Sequence, residues 1–386
     1  MKKIVYLDYN ATTALAPEVL DGMMPFLKEE FGNPSSIHSQ GQKAKAALYD
    51  AREQVARLIG AGPTEIVFTS GGTESDNLAI LGVVEAADKP AKRQHLITSA
   101  VEHHAVLNTM KALAKKGWPV TFLKVDRVGS VDPAALQEAL TPETLVVSIM
   151  HANNETGVIQ PIRELCDITH DAGAYFHVDA VQSVGKIPVD VEALGVDLLS
   201  LSGHKIYGPK GTGALYVRRG VKYRSPFRGG GQERSRRPGT ENLAAIVGLG
   251  HAVQLAQAGL ESDNQRVEAL RDSLEKQVLE TILGSWVNGQ GALRTPNTAN
   301  FSFDGAEGET LTIALDLKGF AVSTGAACSS GTVEPSHVLQ AMGLRAERVQ
   351  SSIRVSLGKY TSEEEVCLFV EALGSAVESV RHRAAR

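Results

Sequence analysis

The chain of 386 residues is long enough for roughly two to three domains, and it can bury a hydrophobic core without disulfide bonds. Its composition, with 43% apolar and 22% charged residues, is typical of a soluble globular protein and excludes a mainly disordered chain. The net charge of −5 argues against a general nucleic-acid coat. The chain lacks an uncharged apolar run of about 18 residues, which argues against a membrane span. Three cysteines exclude a disulfide scaffold.

The first apolar stretch of the chain, Ile4–Leu7, ends at Asp8. It is too short to be the hydrophobic core of a secretory signal peptide. We therefore expect a cytoplasmic enzyme that binds neither membrane nor nucleic acid directly.

Seven short apolar runs alternate with helix-length segments between residues 65 and 220. This pattern predicts a mostly parallel sheet with covering helices. The last two runs are joined by a short turn region rich in Gly, Pro and Lys, which is compatible with one antiparallel strand. We predict one large α/β domain over residues 15–260. The seven runs are Glu65–Ser70, His95–Ala100, Val120–Val125, Leu145–Met150, Tyr175–Ala180, Asp197–Ser202 and Gly213–Arg219.

The segment Arg224–Arg237 is rich in Arg and Gly and is predicted to be a functional loop that reaches across a subunit interface. An RNA-binding role fits poorly, because the net charge is negative and aromatic residues are not interleaved. Helical patterns follow from about Asn242 to Leu283. Residues 1–14 and 261–386 are predicted to form a smaller α+β domain, whose strand-like runs are Asn300–Asp304, Phe320–Ser323 and Ser352–Leu357.

The first predicted strand of the sheet leads into Gly71-Gly72-Thr73 and then into a helical pattern. Backbone N–H groups at the start of a helix suit a phosphate group, and Thr73 adds a hydroxyl donor. The alternative is an ordinary turn in which Thr73 or Ser75 caps the helix. The segment has neither the glycine spacing of a dinucleotide site nor that of a P-loop.

Two further residues complete the pattern of one cofactor. Lys205 follows the buried run Asp197–Ser202, and such a lysine can form a Schiff base with a carbonyl cofactor. Asp179 lies in an apolar strand, where a carboxylate needs a partner such as the pyridinium nitrogen of pyridoxal phosphate. A surface lysine, and an aspartate that pairs with an arginine or caps a loop, are the alternatives. A phosphate cup, a Schiff-base lysine and a pyridinium partner together predict pyridoxal phosphate.

Other polar residues follow the strands or lie in them. His103 is placed to stack on a cofactor ring or to transfer protons, although a merely structural histidine is the alternative. Asn154 belongs to the cluster His151–Gly157, which suits amide donors aimed at a ligand. Arg354 lies in an apolar strand and can bind the carboxylate of an amino-acid substrate, whereas the alternative is an internal Arg–Asp bridge.

The three cysteines lie in different settings. Cys166 and Cys367 are within helical patterns and are predicted to be core residues. Cys328 is within the small and polar segment Ser323–Gly331. We expect a mobile loop that carries this thiolate to a bound substrate, and an incidental loop cysteine is the alternative.

Almost the whole chain resembles the Nif/Isc-type cysteine desulfurases, a branch of the class V aminotransferases. The resemblance is carried by many ordered motifs, and their number makes chance an implausible explanation. The motifs are YLDYNATT at residues 6–13, FGNPSSIH at 31–38, TSGGTESDNLAI, VEHHAV, HANNETG, HVDAVQSVGK, SGHKIYGPKG, GGGQERSRRPGTEN, EPSHVL after Cys328, and SSIRVSLGKYTSEEE.

The resemblance implies a fold-type I homodimer with pyridoxal phosphate bound to Lys205. It assigns the phosphate to Thr73, Ser202 and His204, beside Gly72 of the glycine turn, with Thr240 contributing to the phosphate site of the other subunit. By the same resemblance, Asp179 would pair with the pyridine nitrogen, and Gln182 would bind the ring hydroxyl. His103 would stack on the ring and take part in proton transfer. Asn154 and Arg354 would hold the substrate carboxylate and the ring substituents.

The resemblance also implies the reaction. L-Cysteine would give L-alanine, and Cys328 would receive the sulfur as a persulfide. The implied acceptor is an iron–sulfur scaffold or another sulfur-acceptor protein, and Cys328 would be a metal ligand if it transiently shared a [2Fe-2S] cluster with that scaffold. The loop Ser323–Cys328 departs from the common family sequence, but its residues remain small.

Other functions stay open at this point. A selenocysteine lyase or a transaminating relative would share the cofactor residues, and a transaminase would not need Cys328. A platform that delivers sulfur without its own catalysis should have lost Lys205, Asp179 or Cys328, and all three are present.

Overall fold

The computed structural model describes residues 4–87, 93–324 and 334–384. Within these ranges it places twelve strands in one large and two small sheets. They are β1 Val5–Tyr6, β2 Ile66–Thr69, β3 His95–Ser99, β4 Val120–Leu123, β5 Thr144–Met150, β6 Tyr175–Asp179, β7 Leu198–Ser202, β8 Gly213–Val217, β9 Ser285–Val287, β10 Thr298–Phe303, β11 Phe320–Ala321 and β12 Ser352–Ser356.

The helices pack around these sheets. They are α1 Pro17–Lys28, α2 Ser39–Leu58, α3 Gly72–Ala86, α4 His104–Lys115, α5 Pro133–Ala139, α6 Ile162–Asp171, α7 Val191–Leu194, α8 Leu243–Gly259, α9 Ser262–Thr281, α10 Gly308–Lys318, α11 His337–Ala341, α12 Ala346–Gln350 and α13 Glu363–Ala384. The helical region predicted from Asn242 to Leu283 is therefore two helices, α8 and α9.

The large sheet has seven strands in the order β2-β8-β7-β6-β5-β3-β4. Five strands from β7 to β4 are mutually parallel, and β8 runs antiparallel to both of its neighbours. The prediction of seven strands with one antiparallel member is confirmed, and each strand end lies within two residues of the predicted one. Because β8 is antiparallel to both of its neighbours, β2 runs in the same direction as these five strands, and the carboxyl ends of six strands meet at one edge of the sheet.

Both faces of this sheet are buried. In β5, Val147 packs in the core cluster that also contains Phe176 and Leu249, whereas Val146 packs in the cluster on the other face with Leu78. Consecutive side chains of a strand point to opposite faces, so helices on both sides keep both residues out of water. This explains why the strands appear in the sequence as continuous apolar runs.

A separate core lies around the small sheets. Strand β10 pairs with β9 and β12, and β1 pairs with β11. Leu7 from the N-terminal segment packs in the same cluster as Phe301 and Phe369. This packing is compatible with a small domain that combines residues 1–14 and 261–386, and those limits stay a prediction.

The two described cysteines differ in environment. Cys166 is fully buried, as predicted, but Cys367 is exposed, so its prediction as a core residue was wrong. Helix α13 buries Val366, Phe369 and Val370, and Cys367 lies outside that stripe. The helical pattern alone therefore did not determine which side of α13 the thiol occupies.

Within the described ranges, no single helix has the length and apolar character needed to span a membrane, although the pair α8 and α9, bent by 70°, meets that test jointly.

Candidate active site

A cavity of about 510 Å³ opens at the carboxyl ends of the parallel strands. It brings together ten of the residues predicted from the sequence. Nine of them lie at or just after the ends of five strands of the large sheet, and one lies in β12. These ten residues are Gly72, Thr73, His103, Asn154, Asp179, Gln182, Ser202, His204, Lys205 and Arg354. Thr240 is exposed and does not line the cavity, and Cys328 lies outside the described residues.

The glycine turn begins helix α3 at the cavity wall. Its N-cap residue is Gly71, at φ 146°, and no side chain caps the helix. The alternative, in which Thr73 or Ser75 caps the helix, is therefore wrong. The hydroxyl of Ser202 is buried close to this turn and has no hydrogen-bond partner among the described residues. Uncapped amides beside an unpartnered hydroxyl form a suitable cradle for a phosphate group.

Lys205 lies in a short 3-10 turn directly after β7. Its Nζ donates to the carbonyl oxygens of Asn10 and Ala11, each at 2.7 Å. Burial, reinforced by the positive charge of Arg354, lowers the pKa of Lys205 to about 8. A lysine with this pKa has an appreciable uncharged fraction near neutral pH, which nucleophilic attack and proton abstraction require.

Asp179 ends β6 at the floor of the cavity. Its Oδ1 accepts a hydrogen bond from the Val181 amide at 3.0 Å, so it also caps the following turn. Burial raises the pKa of Asp179 to about 6. A carboxylate oxygen of Asp179 lies within 4.8 Å of one carboxylate oxygen of Asp76 and one ring nitrogen of His103, and these two atoms lie within the same distance of each other.

Sequence reasoning missed Asp76 and Glu102. Burial and the charge of Asp179 raise the pKa of Asp76 well above its usual value, and burial raises that of Glu102 to about 8. Both shifts favour the protonated form of these two carboxyl groups, whereas the pKa of Asp179 rises only to about 6. Their only signal in the sequence was that each lies within a motif that carried the family resemblance.

His103 is the N-cap of α4. Its Nδ1 accepts from the Ala105 amide at 3.1 Å, so the proton of the neutral ring is on Nε2. Burial and the charge of Lys205 lower the pKa of His103 to about 4. The ring is therefore neutral near pH 7, as stacking on an electron-poor aromatic ring and proton exchange both favour.

Arg354 forms the internal Arg–Asp bridge that was the alternative to substrate binding, and binding of a substrate carboxylate stays a prediction. Its Nη2 donates to Asp8 Oδ1 at 2.7 Å, which is the internal bridge, and its Nη1 donates to the Asn154 carbonyl at 3.0 Å. Its buried Nε has no partner among the described residues. The guanidinium group is thus held firmly at the cavity wall and keeps one donor unused.

Gln182 and His204 are held by the N-terminal segment. Gln182 Nε2 donates to the Asn10 carbonyl at 3.0 Å, and His204 Nδ1 lies 3.1 Å from Thr12 Oγ1. Burial and the charge of Lys205 lower the pKa of His204 to about 4. Sequence analysis gave no individual role to Asn10, which lay within a motif that served only for the resemblance.

The segment that contains Cys328 is flanked by cavity residues. Ser323, on one side, forms a bridge with Arg354 and lines the cavity, and Glu334 lines it on the other side.

The arginine-rich segment lies at the edge of the large sheet, where Glu233 pairs with Arg52 at 2.6 Å.

The chain matches the family model of class V aminotransferases over residues 5–369. It belongs to the class V aminotransferase family. It is 51% identical to a Dictyoglomus turgidum protein named cysteine desulfurase IscS, over 99% of this chain and 96% of the relative. A Methanosarcina thermophila protein of the same name is 47% identical, over 98% of this chain and 93% of the relative.

Solved structures share the class V aminotransferase fold. A NifS-like protein has a TM-score of 0.91 and 40% identity, covering 97% of this chain and 100% of the other. A structure titled SspA in complex with cysteine has a TM-score of 0.81 and 38% identity, covering 92% of this chain and 99% of the other. The predicted fold class is confirmed, and membership of the class V aminotransferase family implies pyridoxal phosphate as cofactor.

The residues of the cavity fit pyridoxal phosphate. The unpartnered Ser202 hydroxyl and the uncapped start of α3 suit the phosphate, and Asp179 offers a buried carboxylate to the pyridine nitrogen. A Cβ on Gly72 would lie 2.7 Å from Val181 Cγ2, so glycine allows the start of α3 to approach Val181 this closely. Lys205 projects into the same cavity with a lowered pKa.

Proposed function

We propose that this class V aminotransferase is a pyridoxal-phosphate-dependent cysteine desulfurase. It removes sulfur from L-cysteine, releases L-alanine and passes the sulfur to Cys328. The observation that carries the proposal is the joint presence of Lys205, Asp179, His103 and Arg354 in one cavity of a chain that is 51% identical to a protein named cysteine desulfurase.

The cofactor would be held by residues of the large domain. Thr73, Ser202 and His204 take the phosphate, Asp179 takes the pyridine nitrogen, and Gln182 takes the ring hydroxyl. When bound, pyridoxal phosphate withdraws electrons from the α-carbon of an attached amino acid. The negative charge of Asp179 supports this withdrawal because it favours a protonated pyridine nitrogen.

Lys205 has two tasks in this proposal. It holds the cofactor covalently, and its freed amine accepts the α-proton of the substrate. A pKa of about 8 suits both tasks, because a useful general base has a pKa near the working pH. The neutral ring of His103 covers the cavity and assists proton transfer.

Arg354 and Asn154 orient the substrate. The substrate carboxylate would bind the guanidinium group of Arg354, whose position is fixed by Asp8 and by the Asn154 carbonyl. A guanidinium held from two sides loses little side-chain entropy on binding a carboxylate.

Cys328 completes the reaction. Its thiolate attacks the sulfur of the substrate, a sulfur–sulfur bond forms, and the bond between that sulfur and the β-carbon breaks. The electron pair of the broken bond stays with the carbon fragment, which takes up protons and leaves as alanine. Cysteine and the Cys328 thiol are thus converted into alanine and a persulfide, with atoms balanced.

The protein would act as a cytoplasmic homodimer, with Thr240 of each subunit contributing to the phosphate site of the other. The persulfide would pass to an iron–sulfur scaffold or another acceptor protein, and Cys328 would transiently share a [2Fe-2S] cluster with a scaffold. These parts of the proposal follow from the family resemblance of the sequence motifs.

The test is a product assay with L-cysteine and a thiol reductant, in which alanine and sulfide are measured together. We expect equal amounts of both products, and loss of both in Cys328→Ala. The matched control is Cys367→Ala, because this thiol is exposed on α13 and has no proposed role. Alanine formation that survives Cys328→Ala would reject Cys328 as the sulfur acceptor. If neither product forms, turnover of selenocysteine or transamination would identify the enzyme as a lyase or an aminotransferase.

A further inference from the structure

Asn10 lies at the centre of a hydrogen-bond network behind Lys205. It is 2% exposed, and each of its polar atoms contacts residues far away in the sequence. The backbone N–H of Asn10 donates to Ser356 Oγ at 2.9 Å, and its backbone carbonyl accepts from Lys205 Nζ at 2.7 Å and from Gln182 Nε2 at 3.0 Å. In the side chain, Nδ2 donates to Thr298 Oγ1 at 2.8 Å and to the Asn154 carbonyl at 3.2 Å. The side-chain Oδ1 accepts from Asn297 Nδ2 at 2.9 Å and from Lys186 Nζ at 3.0 Å.

The network holds the Lys205 amine through backbone oxygens. Among the described residues, Lys205 makes no ion pair, and the carbonyl oxygens of Asn10 and Ala11 are its acceptors. A carbonyl oxygen stabilises an ammonium group more than an uncharged amine, because the hydrogen bond is then charge-assisted. The position of residues 10 and 11 therefore affects both where the amine lies and how readily it loses its proton.

Lys186 fixes the orientation of Asn10. Its Nζ donates to Asn10 Oδ1 at 3.0 Å and to Gln182 Oε1 at 2.6 Å, and it makes no ion pair within the described ranges. An uncharged amine has two N–H donors, which match these two acceptors. Burial and the charges of Lys205 and Arg354 lower the pKa of Lys186 well below its usual value.

The same network reaches the substrate side of the cavity. The carbonyl oxygen of Asn154 accepts from Asn10 Nδ2 and also from Arg354 Nη1 at 3.0 Å. Asn10 therefore connects the arginine proposed to bind the substrate carboxylate with the lysine proposed to move the α-proton.

We propose that Asn10 is a positioning residue for Lys205, which places the carbonyl oxygens that receive the Lys205 ammonium group, and that Lys186 orients the Asn10 carboxamide. The inference rests on the role of Lys205 in the proposed function and adds the residues that control it. The carbonyl pair is the site at which the amine rests when it carries a proton.

Other charged groups also face Lys205, and substitution of Asn10 removes none of them. The titratable and charged groups that act on Lys205, or on which it acts, are Asp8, His103, Asp179, Lys186, His204 and Arg354. A change in the Lys205 pKa in an Asn10 variant therefore reports on the network.

The experiment measures the Lys205 pKa in the full chain after removal of pyridoxal phosphate. Lysines are acetylated briefly at a series of pH values, and labelling of the Lys205 peptide is quantified by mass spectrometry. The midpoint of the pH dependence is compared rather than the rate, because the rate also depends on access. We expect Asn10→Ala to lower the midpoint and raise labelling at pH 7 several-fold. Asn10→Asp is expected to raise the midpoint, because a carboxylate favours the charged amine.

Asn288→Ala is the matched control. Asn288 is also 2% exposed, and it donates to Asn300 and Ser302 in the small sheet without contacting Lys205 or its two acceptor carbonyls. If Asn10→Ala shifts the midpoint no more than Asn288→Ala, Asn10 is merely structural and the proposal is overturned. If the Asn10→Ala variant does not fold, the Asn10→Asp variant is used to test the proposal. An unchanged or lowered Lys205 midpoint in that variant would contradict the proposal.

Lys186→Met tests the second part. Loss of the donor to Asn10 Oδ1 is expected to lower the Lys205 midpoint, as Asn10→Ala does. A raised midpoint would show that Lys186 acts on Lys205 mainly as a positive charge, and would overturn its role as the donor that orients Asn10. Because these measurements need neither cofactor nor turnover, failure of the proposed desulfurase activity would appear separately, in the product assay.

Discussion

Arg354 and Asp8 form an ion pair at 2.7 Å although 346 residues separate them in the chain. Arg354 belongs to β12, and Asp8 belongs to the N-terminal segment that follows β1. The guanidinium side chain is 6% exposed, so the pair is largely shielded from water. The pair therefore fixes the group proposed to bind the substrate carboxylate and joins the two ends of the chain.

Removal of either partner of this pair should destabilise the fold. We expect Asp8→Ala and Arg354→Ala each to lower the free energy of unfolding by about 1–3 kcal/mol, because the remaining partner is left unpaired in a poorly hydrated site. The free energy of unfolding of the double variant should fall by clearly less than the sum of the two single losses. Urea unfolding of all four proteins measures the coupling, and strictly additive losses would contradict an energetic link.

Asp179 should matter far more to catalysis than its neighbour Asp76. Asp179→Asn removes the anion proposed to face the pyridine nitrogen, and we expect kcat/KM to fall by about 100- to 1000-fold. Asp76→Asn should cost less than about tenfold, because burial already favours the protonated and uncharged form of Asp76. Steady-state alanine formation compares the two variants, and equal losses would count against Asp179 as the essential anion.

Glu102 should make the stability of the fold depend on pH. Burial raises the pKa of its folded-state carboxyl to about 8, so its contribution to stability is fully present below the unfolded pKa near 4.5 and is lost as the pH rises through about 8. Relative to the native chain, Glu102→Gln should therefore gain in Tm as the pH rises from 5 to 8.5. Thermal unfolding at three pH values tests this, with the exposed Glu138→Gln as control. A gain that is the same at each pH would disagree with titration of Glu102.

Glu233 should be needed to hold the arginine-rich segment. It pairs with Arg52 in a buried site, and Glu233 itself adopts φ 49°. Glu233→Gln is expected to cost about 3–5 kcal/mol, because the buried guanidinium of Arg52 loses its carboxylate. The control is Glu192→Gln, whose exposed pair with Arg218 at 4.0 Å should be worth less than about 1 kcal/mol. Similar losses in the two variants, measured by denaturant unfolding, would speak against the buried pair.

The sequence determined the large sheet and the main candidates of the site. Apolar runs and the glycine turn at Gly71 are local patterns, so seven strands and the start of α3 could be predicted from neighbouring residues alone. Lys205 and Asp179 could be found because each follows or ends such a run. The same local patterns failed for Cys367, because a helix period does not show by itself which flank meets the core.

Only the tertiary structure decided which distant residues share the site. The strand order brings the ends of β6 and β7 beside the start of α3, and so places Asp76 next to Asp179. The N-terminal segment crosses from the small sheets to Lys205, which gives Asn10 its contacts and Asp8 its pairing with Arg354. Such contacts depend on the packing of segments hundreds of residues apart and on the low hydration of buried groups. Neither leaves a periodic signal in the sequence, whereas strands and helix starts do.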